Sequence, residues 1–252
     1  MTALLMDAGN TRLKWGLLKA GEIYDTGHVL QVDIAEHGLS SLTTRLPRAV
    51  DKVFVSNVVG QRFATRLSGM LSAHYGCSVR FARTSHEAAG LVNGYGEVRQ
   101  MGVDRWAAMV GAWREFGRAL VVVDAGTAVT IDAIDGTGQH LGGQILPGFG
   151  LMSRALGTET SDIPLFDREP WSAQRGLEIF GASTEAGVMQ GAANALAGAV
   201  DQAISVLRSN AYDPITVLTG GDASAMLRAL ENTPEHRPNL VLAGLAELMD
   251  RA

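Results

Sequence analysis

The chain contains two copies of one segment. Residues 3–9 read Ala-Leu-Leu-Met-Asp-Ala-Gly, and residues 120–126 read Leu-Val-Val-Val-Asp-Ala-Gly. In each copy an apolar run of buried-strand type ends in an aspartate and a glycine turn, after which a second strand begins. That second strand is expected over Leu13–Leu18 in the first copy and Ala128–Ile134 in the second. Thr11 follows the first glycine after Asn10, whereas Thr127 follows the second glycine directly. Asp7 and Asp124 stand 117 residues apart, close to half of the 252-residue chain. A duplicated α/β domain explains this most economically, with a split near residues 115–119 and domains spanning 1–117 and 118–252.

The remaining pattern fits two such halves. Strands are expected at Lys52–Val59, Val79–Ala82 and Ile215–Leu218, the last running into Thr219-Gly220-Gly221-Asp222. Helical periodicity covers Gln61–Tyr75, with Phe63, Leu67, Met70 and Leu71 on one side. Further helices are expected at Val103–Phe116, Ser183–Leu207, Asp222–Glu231 and Leu240–Met249. Arg83–Gln100 and Leu156–Gln174 read as loops, the latter holding Pro164 and Pro170. Gly142-Gly143 is glycine-dense enough to read as a turn after the 128–134 strand rather than the middle of another.

Composition narrows the function classes. Lys and Arg number 21 against 26 Asp and Glu, for a net charge of −5, and no stretch is strongly basic, so nucleic acid is not the expected partner. Cys77 is the only cysteine, which excludes an intramolecular disulfide and a Cys-rich zinc site. No apolar run approaches the roughly 20 residues of a membrane helix, and the first residues lack a basic leader. No membrane association is therefore expected, and a cytoplasmic location is. The six histidines have no metal-like spacing.

Asp7-Ala8-Gly9-Asn10-Thr11-Arg12-Leu13-Lys14 has the makings of an anion cradle. A glycine turn lets successive N–H groups converge on one anion, Asn10 and Thr11 add donors, and Lys14 adds charge. Asp7 suits a hydrated magnesium ion, which takes one or two carboxylates and keeps several waters. Asp124-Ala125-Gly126-Thr127 supplies a second cradle. A plain hairpin after a strand is the bland reading of either copy; two in corresponding places weigh against it. The chain has neither Gly-x-x-x-x-Gly-Lys-Ser/Thr nor Gly-x-Gly-x-x-Gly, so an ATP site here is neither Walker nor Rossmann. Gly102-Val103-Asp104-Arg105 precedes an apolar helix. Asp104 there either complements the helix dipole or serves as a base in phosphoryl transfer.

The paired hairpins resemble the phosphate motifs of the actin-like ATPase superfamily, and Leu218-Thr219-Gly220-Gly221-Asp222-Ala223 resembles its adenosine motif. Four features in order are similar to type III pantothenate kinase: Asp7-x-Gly-Asn-Thr11, Gly102-Val103-Asp104-Arg105, Asp124-x-Gly-Thr127 and Gly142-Gly143-Gln-Ile-x-Pro147-Gly148. The resemblance spans nearly the whole chain. It implies two duplicated RNase H-like domains with the active site in the cleft between them. It implies phosphorylation of the primary hydroxyl of pantothenate by ATP to 4'-phosphopantothenate, the opening step of coenzyme A synthesis.

By the same resemblance Asp104 is the catalytic base. Tyr95, Gly102, Val103, Asp104, Arg105 and Thr184 contact pantothenate, Arg105 being suited to its carboxylate. Asp7, Ala8, Gly9, Asn10, Thr11, Arg12, Lys14 and Thr127 bind ATP. Asp7 holds Mg2+ through water, Asp124 a monovalent cation (K+ or NH4+), and the protein is a homodimer. Lys14 falls where many family members carry an apolar residue. Tyr95 also reads as an ordinary surface tyrosine, and Thr184 also reads as the cap of the long helix. Two other functions fit the same fold: a kinase of a sugar or small alcohol, and a nucleotide-dependent regulatory protein, against which an intact Asp104 argues.

Overall fold

The computed structural model describes residues 1–164, 179–227, 229–230 and 232–249. The chain forms two compact units, Met1–Glu115 with Asn239–Ala252, and Phe116–Pro238. The first begins with an antiparallel meander, β1 (Thr2–Ala8), β2 (Arg12–Lys19) and β3 (Glu22–Leu30), followed by α1 (Gln31–His37). β4 (Lys52–Asn57) then pairs parallel with β1, α2 (Gln61–Tyr75) crosses over, and β5 (Val79–Phe81) pairs parallel with β4. The sheet order is β3-β2-β1-β4-β5. A small ribbon, β6 (Glu87–Ala88) with β7 (Leu91–Val92), precedes α3 (Val103–Phe116).

The second unit repeats the plan. β8 (Leu120–Ala125), β9 (Ala128–Ile134) and β10 (His140–Pro147) form the meander, and α4 (Phe149–Glu159) and α5 (Thr184–Ser209) follow. β11 (Ile215–Thr219) pairs parallel with β8, α6 (Ala223–Met226) is short, and β12 (Glu235–His236) pairs parallel with β11. The order β10-β9-β8-β11-β12 is that of the first sheet. The chain then returns to the first unit as α7 (Leu240–Met249).

β1 over Ala3–Met6 and β8 over Leu120–Val123 are apolar and buried without alternation, as in strands covered on both faces. In the first unit Leu4, Met6, Leu13, Trp15, Val53 and Val55 pack with Leu67 and Leu71 of α2 in one core. In the second, Val121, Val123, Val129 and Ile131 pack with Ala193, Leu196, Val200 and Ile204 of α5. A fully buried side chain of this size contributes about 1.5–3 kcal/mol.

Six expectations change, the first being that the β6–β7 ribbon lies within the expected Arg83–Gln100 loop. β3 and α1 occupy Glu22–His37, where no element is expected from the pattern of residues. Gly142 and Gly143 lie within β10, not in a turn; a register shift between His140 and Gly142, with Gly142 at φ 129°, absorbs the irregularity. Residues 156–159 of the expected Leu156–Gln174 loop close α4; residues 165–174, including Pro170, fall outside the described residues. The helix expected over Asp222–Glu231 spans Ala223–Met226 only. Finally, α7 packs on β1, β2 and β4, so the C-terminal helix belongs to the first unit rather than the second.

Candidate active site

The first hairpin closes between Ala8 and Leu13, with the Gly9 N–H donating to the Arg12 carbonyl at 3.0 Å. α1 braces the turn from outside: Gln31 Nε2 donates to the Gly9 carbonyl at 2.9 Å and its backbone N–H to the Thr11 carbonyl at 2.8 Å. Asn10 and Thr11 are exposed at the tip, and Asp7 is half-buried opposite Lys14 in the β1–β2 register. The Arg12 Nε is buried with no hydrogen-bond partner among the described residues. A cationic donor left unmatched at a glycine turn suits an anionic ligand.

The second hairpin is one residue tighter, closing between Ala125 and Val129, which accounts for the missing counterpart of Asn10. The Gly126 N–H donates to the Ala128 carbonyl at 3.1 Å, and Thr127 is exposed. Two glycines press on this turn. Gly148 donates its N–H to the Thr127 carbonyl at 2.8 Å, and a Cβ on it would overlap the Gly126 carbonyl. Gly220, at φ 102°, lies against the Ala125 backbone, while the Asp222 N–H donates to the Ala125 carbonyl at 2.9 Å. The segment resembling an adenosine motif thus also fixes the backbone of the Asp124 turn.

Gly102 to Arg105 form the mouth of α3. The Trp106 N–H donates to the Gly102 carbonyl at 3.0 Å. The Asp104 Oδ1 accepts from the Arg105 N–H at 2.8 Å, and a Cβ on Gly102 would stand 2.6 Å from that oxygen. Glycine at 102 therefore leaves the space the carboxylate occupies. Arg105 is buried, at 6% exposure. Its Nη1 donates to the Tyr95 hydroxyl at 2.9 Å, and its guanidinium carbon lies 5.6 Å from the centre of the Tyr95 ring. The Tyr95 N–H in turn donates to Asn93 Oδ1 at 2.9 Å. Tyr95, half-buried, and Arg105 are thus brought together. Val103 opens α3 half-buried. Thr184 belongs to the second unit, exposed at the first position of α5; the cap is Ser183, whose Oγ accepts from the Ala186 N–H at 3.1 Å.

The donors fit magnesium. Hard oxygens are present in the half-buried Asp7 carboxylate and in Ser56, its neighbour on β4. No group of three or more His, Cys, Asp or Glu among the described residues could cage a metal alone. A hydrated ion bound through one carboxylate and a ligand's phosphates needs no such cage. Ser56 and Gln31 were not singled out from the sequence. Gln31 sits in an element that the apolar pattern does not reveal, and Ser56 gains meaning only through its register beside Asp7.

A family model described as type III pantothenate kinase matches residues 3–206. A type III pantothenate kinase of Azoarcus sp. is 37% identical over 96% of this chain and 89% of its own length. That of Methylobacillus flagellatus is 36% identical over 96% of this chain and 95% of its own. Among solved structures, an activator of 2-hydroxyisocaproyl-CoA dehydratase from Clostridium difficile with bound ADPNP superposes with a TM-score of 0.54. It is 15% identical and covers 99% of this chain and 94% of that one. The fold is that of the actin-like ATPases. The family match runs from the first hairpin through α3 and the second hairpin into α5, and the chain belongs to the type III pantothenate kinase family.

Proposed function

We infer that this protein transfers the γ-phosphoryl group of ATP to the primary hydroxyl of pantothenate, giving 4'-phosphopantothenate and ADP. The observation that carries the reading is the mouth of α3, where the Asp104 carboxylate stands over Gly102 and Arg105 is buried against Tyr95. Asp104 accepts the hydroxyl proton as that oxygen bonds to the γ-phosphorus and the bond to the bridging oxygen of ADP breaks. A carboxylate suffices, because phosphoryl transfer depends on positioning and charge stabilisation. Arg105, oriented by Tyr95, pairs with the carboxylate of pantothenate; Gly102, Val103 and Thr184 complete the acceptor contacts.

Asp7, Ala8, Gly9, Asn10, Thr11, Arg12, Lys14 and Thr127 bind ATP. Magnesium held by Asp7 through water neutralises phosphate charge during transfer. Asp124 holds a monovalent cation. The exposed glycines Gly187, Gly191 and Gly198 along α5 support a homodimer, which sedimentation at micromolar concentration tests.

The function is tested by ADP release with ATP, Mg2+ and pantothenate, with and without K+ or NH4+. Asp104→Asn should abolish turnover while ATP and pantothenate still bind. If the variant retains most of its turnover, Asp104 is not the base. Turnover with a sugar alone would overturn the acceptor, and ATP binding without turnover on any acceptor would favour a regulatory role.

A further inference from the structure

The parallel register of β1 and β4 sets Ser56 beside Asp7, with Lys14 on the other side. Laterally paired residues project from the same face of a sheet, so Lys14, Asp7 and Ser56 form one row. Ser56 is 0% exposed, and its Oγ is buried with no hydrogen-bond partner among the described residues. Native proteins rarely leave a buried hydroxyl unmatched, because desolvating it without a partner is costly. The second unit repeats the placement: Thr219 pairs with Asp124 in the β8–β11 register and is 1% exposed. A hydroxyl residue next to the strand-ending aspartate is thus a feature of the duplicated unit, not an accident at one position.

We propose that the Ser56 hydroxyl is a positioning group for the hydrated magnesium ion at Asp7, hydrogen-bonding a water of that ion. The inference rests on the reading of Asp7 given above. Magnesium dehydrates reluctantly and keeps several waters, and a neutral hydroxyl can donate to or accept from one of them and so fix it. Groups that orient a metal's shell in this way typically change affinity or activity by about 10–100-fold when removed.

The test is calorimetric titration of ATP into wild-type and Ser56→Ala protein, in excess Mg2+ and in EDTA. Thermal unfolding of the ligand-free proteins and the KM for pantothenate are measured alongside. Both proteins should bind ATP equally in EDTA, while the gain in affinity on adding Mg2+ falls about tenfold in the variant. The KM for pantothenate should not change, and the ligand-free variant should melt at or above the wild-type temperature, since an unmatched hydroxyl has been removed. An undiminished Mg2+-dependent gain in Ser56→Ala overturns the proposal and leaves the role of Asp7 intact. A lower melting temperature with weaker ATP binding in EDTA would also overturn it, making Ser56 structural. If wild-type protein itself gains nothing from Mg2+, the reading of Asp7 fails and Ser56 falls with it.

Discussion

Replacing Gly111 by alanine should disturb catalysis from a position remote from the reacting groups. Gly111 lies in α3, where an added Cβ would stand 2.8 Å from the Leu240 carbonyl oxygen and 2.9 Å from the Gly244 nitrogen of α7. Both are backbone atoms and cannot rotate aside. Ordinary contact begins near 3.4 Å, so the helices must part by roughly half an ångström. Gly244 reinforces the seam, since a Cβ there would overlap the Ala107 carbonyl. The Arg114–Glu247 ion pair at 3.0 Å adds little, because Arg114 is exposed and Glu247 is only partly buried. In an open helix Gly→Ala stabilises by up to about 1 kcal/mol, and overpacking costs about 1–3 kcal/mol. Gly111→Ala should therefore be neutral to about 2 kcal/mol destabilised. Asp104 lies seven residues earlier, on nearly the same face of the same helix. A misplacement of about 1 Å can cost about 100-fold in rate, so half of that predicts roughly tenfold in kcat. Gly69→Ala in α2, where nothing stands within 4 Å, is the control and should stabilise. Denaturant unfolding and ADP release read both quantities. A Gly111→Ala protein as stabilised as the control, with unchanged kcat, would refute the claim that α7 fixes the base.

Lys14→Ala should raise the KM for ATP about tenfold, as expected for loss of a charged hydrogen bond of about 1.5 kcal/mol; an unchanged value places Lys14 outside the phosphate site. Asp135, in the β9–β10 turn, accepts from the Thr137 N–H, the Thr137 hydroxyl and the Gln139 N–H at 2.7–2.9 Å. Burial pushes its carboxyl up, but these bonds outweigh it and hold the group below the usual range. Its contribution is thus present above the unfolded carboxyl's pKa of about 4 and is lost as pH falls through the lower folded value. Asp135→Asn should flatten that acid limb in unfolding measured against pH, and an identical limb in both proteins would exclude the effect.

What the sequence made legible follows from which elements carry a strong physical signature. α2, α3, α7 and β9 fall where periodicity and glycine punctuation put them. β3 does not announce itself because it is an edge strand in which only Val29 is buried, so it lacks apolar alternation. β10 is also an edge strand, and exposure lets it carry Gly142 and Gly143 without leaving holes in a core. α7 reads as buried from its composition, yet nothing in composition says which unit buries it; chain proximity suggested the second, and packing on β1 decides for the first. Asp104, Arg105 and Tyr95 were visible as motif residues. The Tyr95–Arg105 bond, the Gln31 brace and the Ser56 neighbour arise from folding distant segments together, which no local pattern encodes.

The duplication explains both the likeness and the difference of the two hairpins. Each sheet has the same order, and each central strand ends in an aspartate with an antiparallel neighbour on one side and a parallel neighbour on the other. The row across the first is Lys14, Asp7, Ser56; across the second it is Thr130, Asp124, Thr219. One scaffold thus holds two chemistries. The first row contains a fixed positive charge, so a phosphate arriving there meets a cation as well as backbone donors. The second contains a carboxylate between two hydroxyl residues and no cation, an oxygen-only set that favours a cation over a phosphate. Gly148 and Gly220 then matter because they fix the backbone of that second turn, the one with no lysine in its row. Divergence changed the charge of the row while the register that builds it was kept.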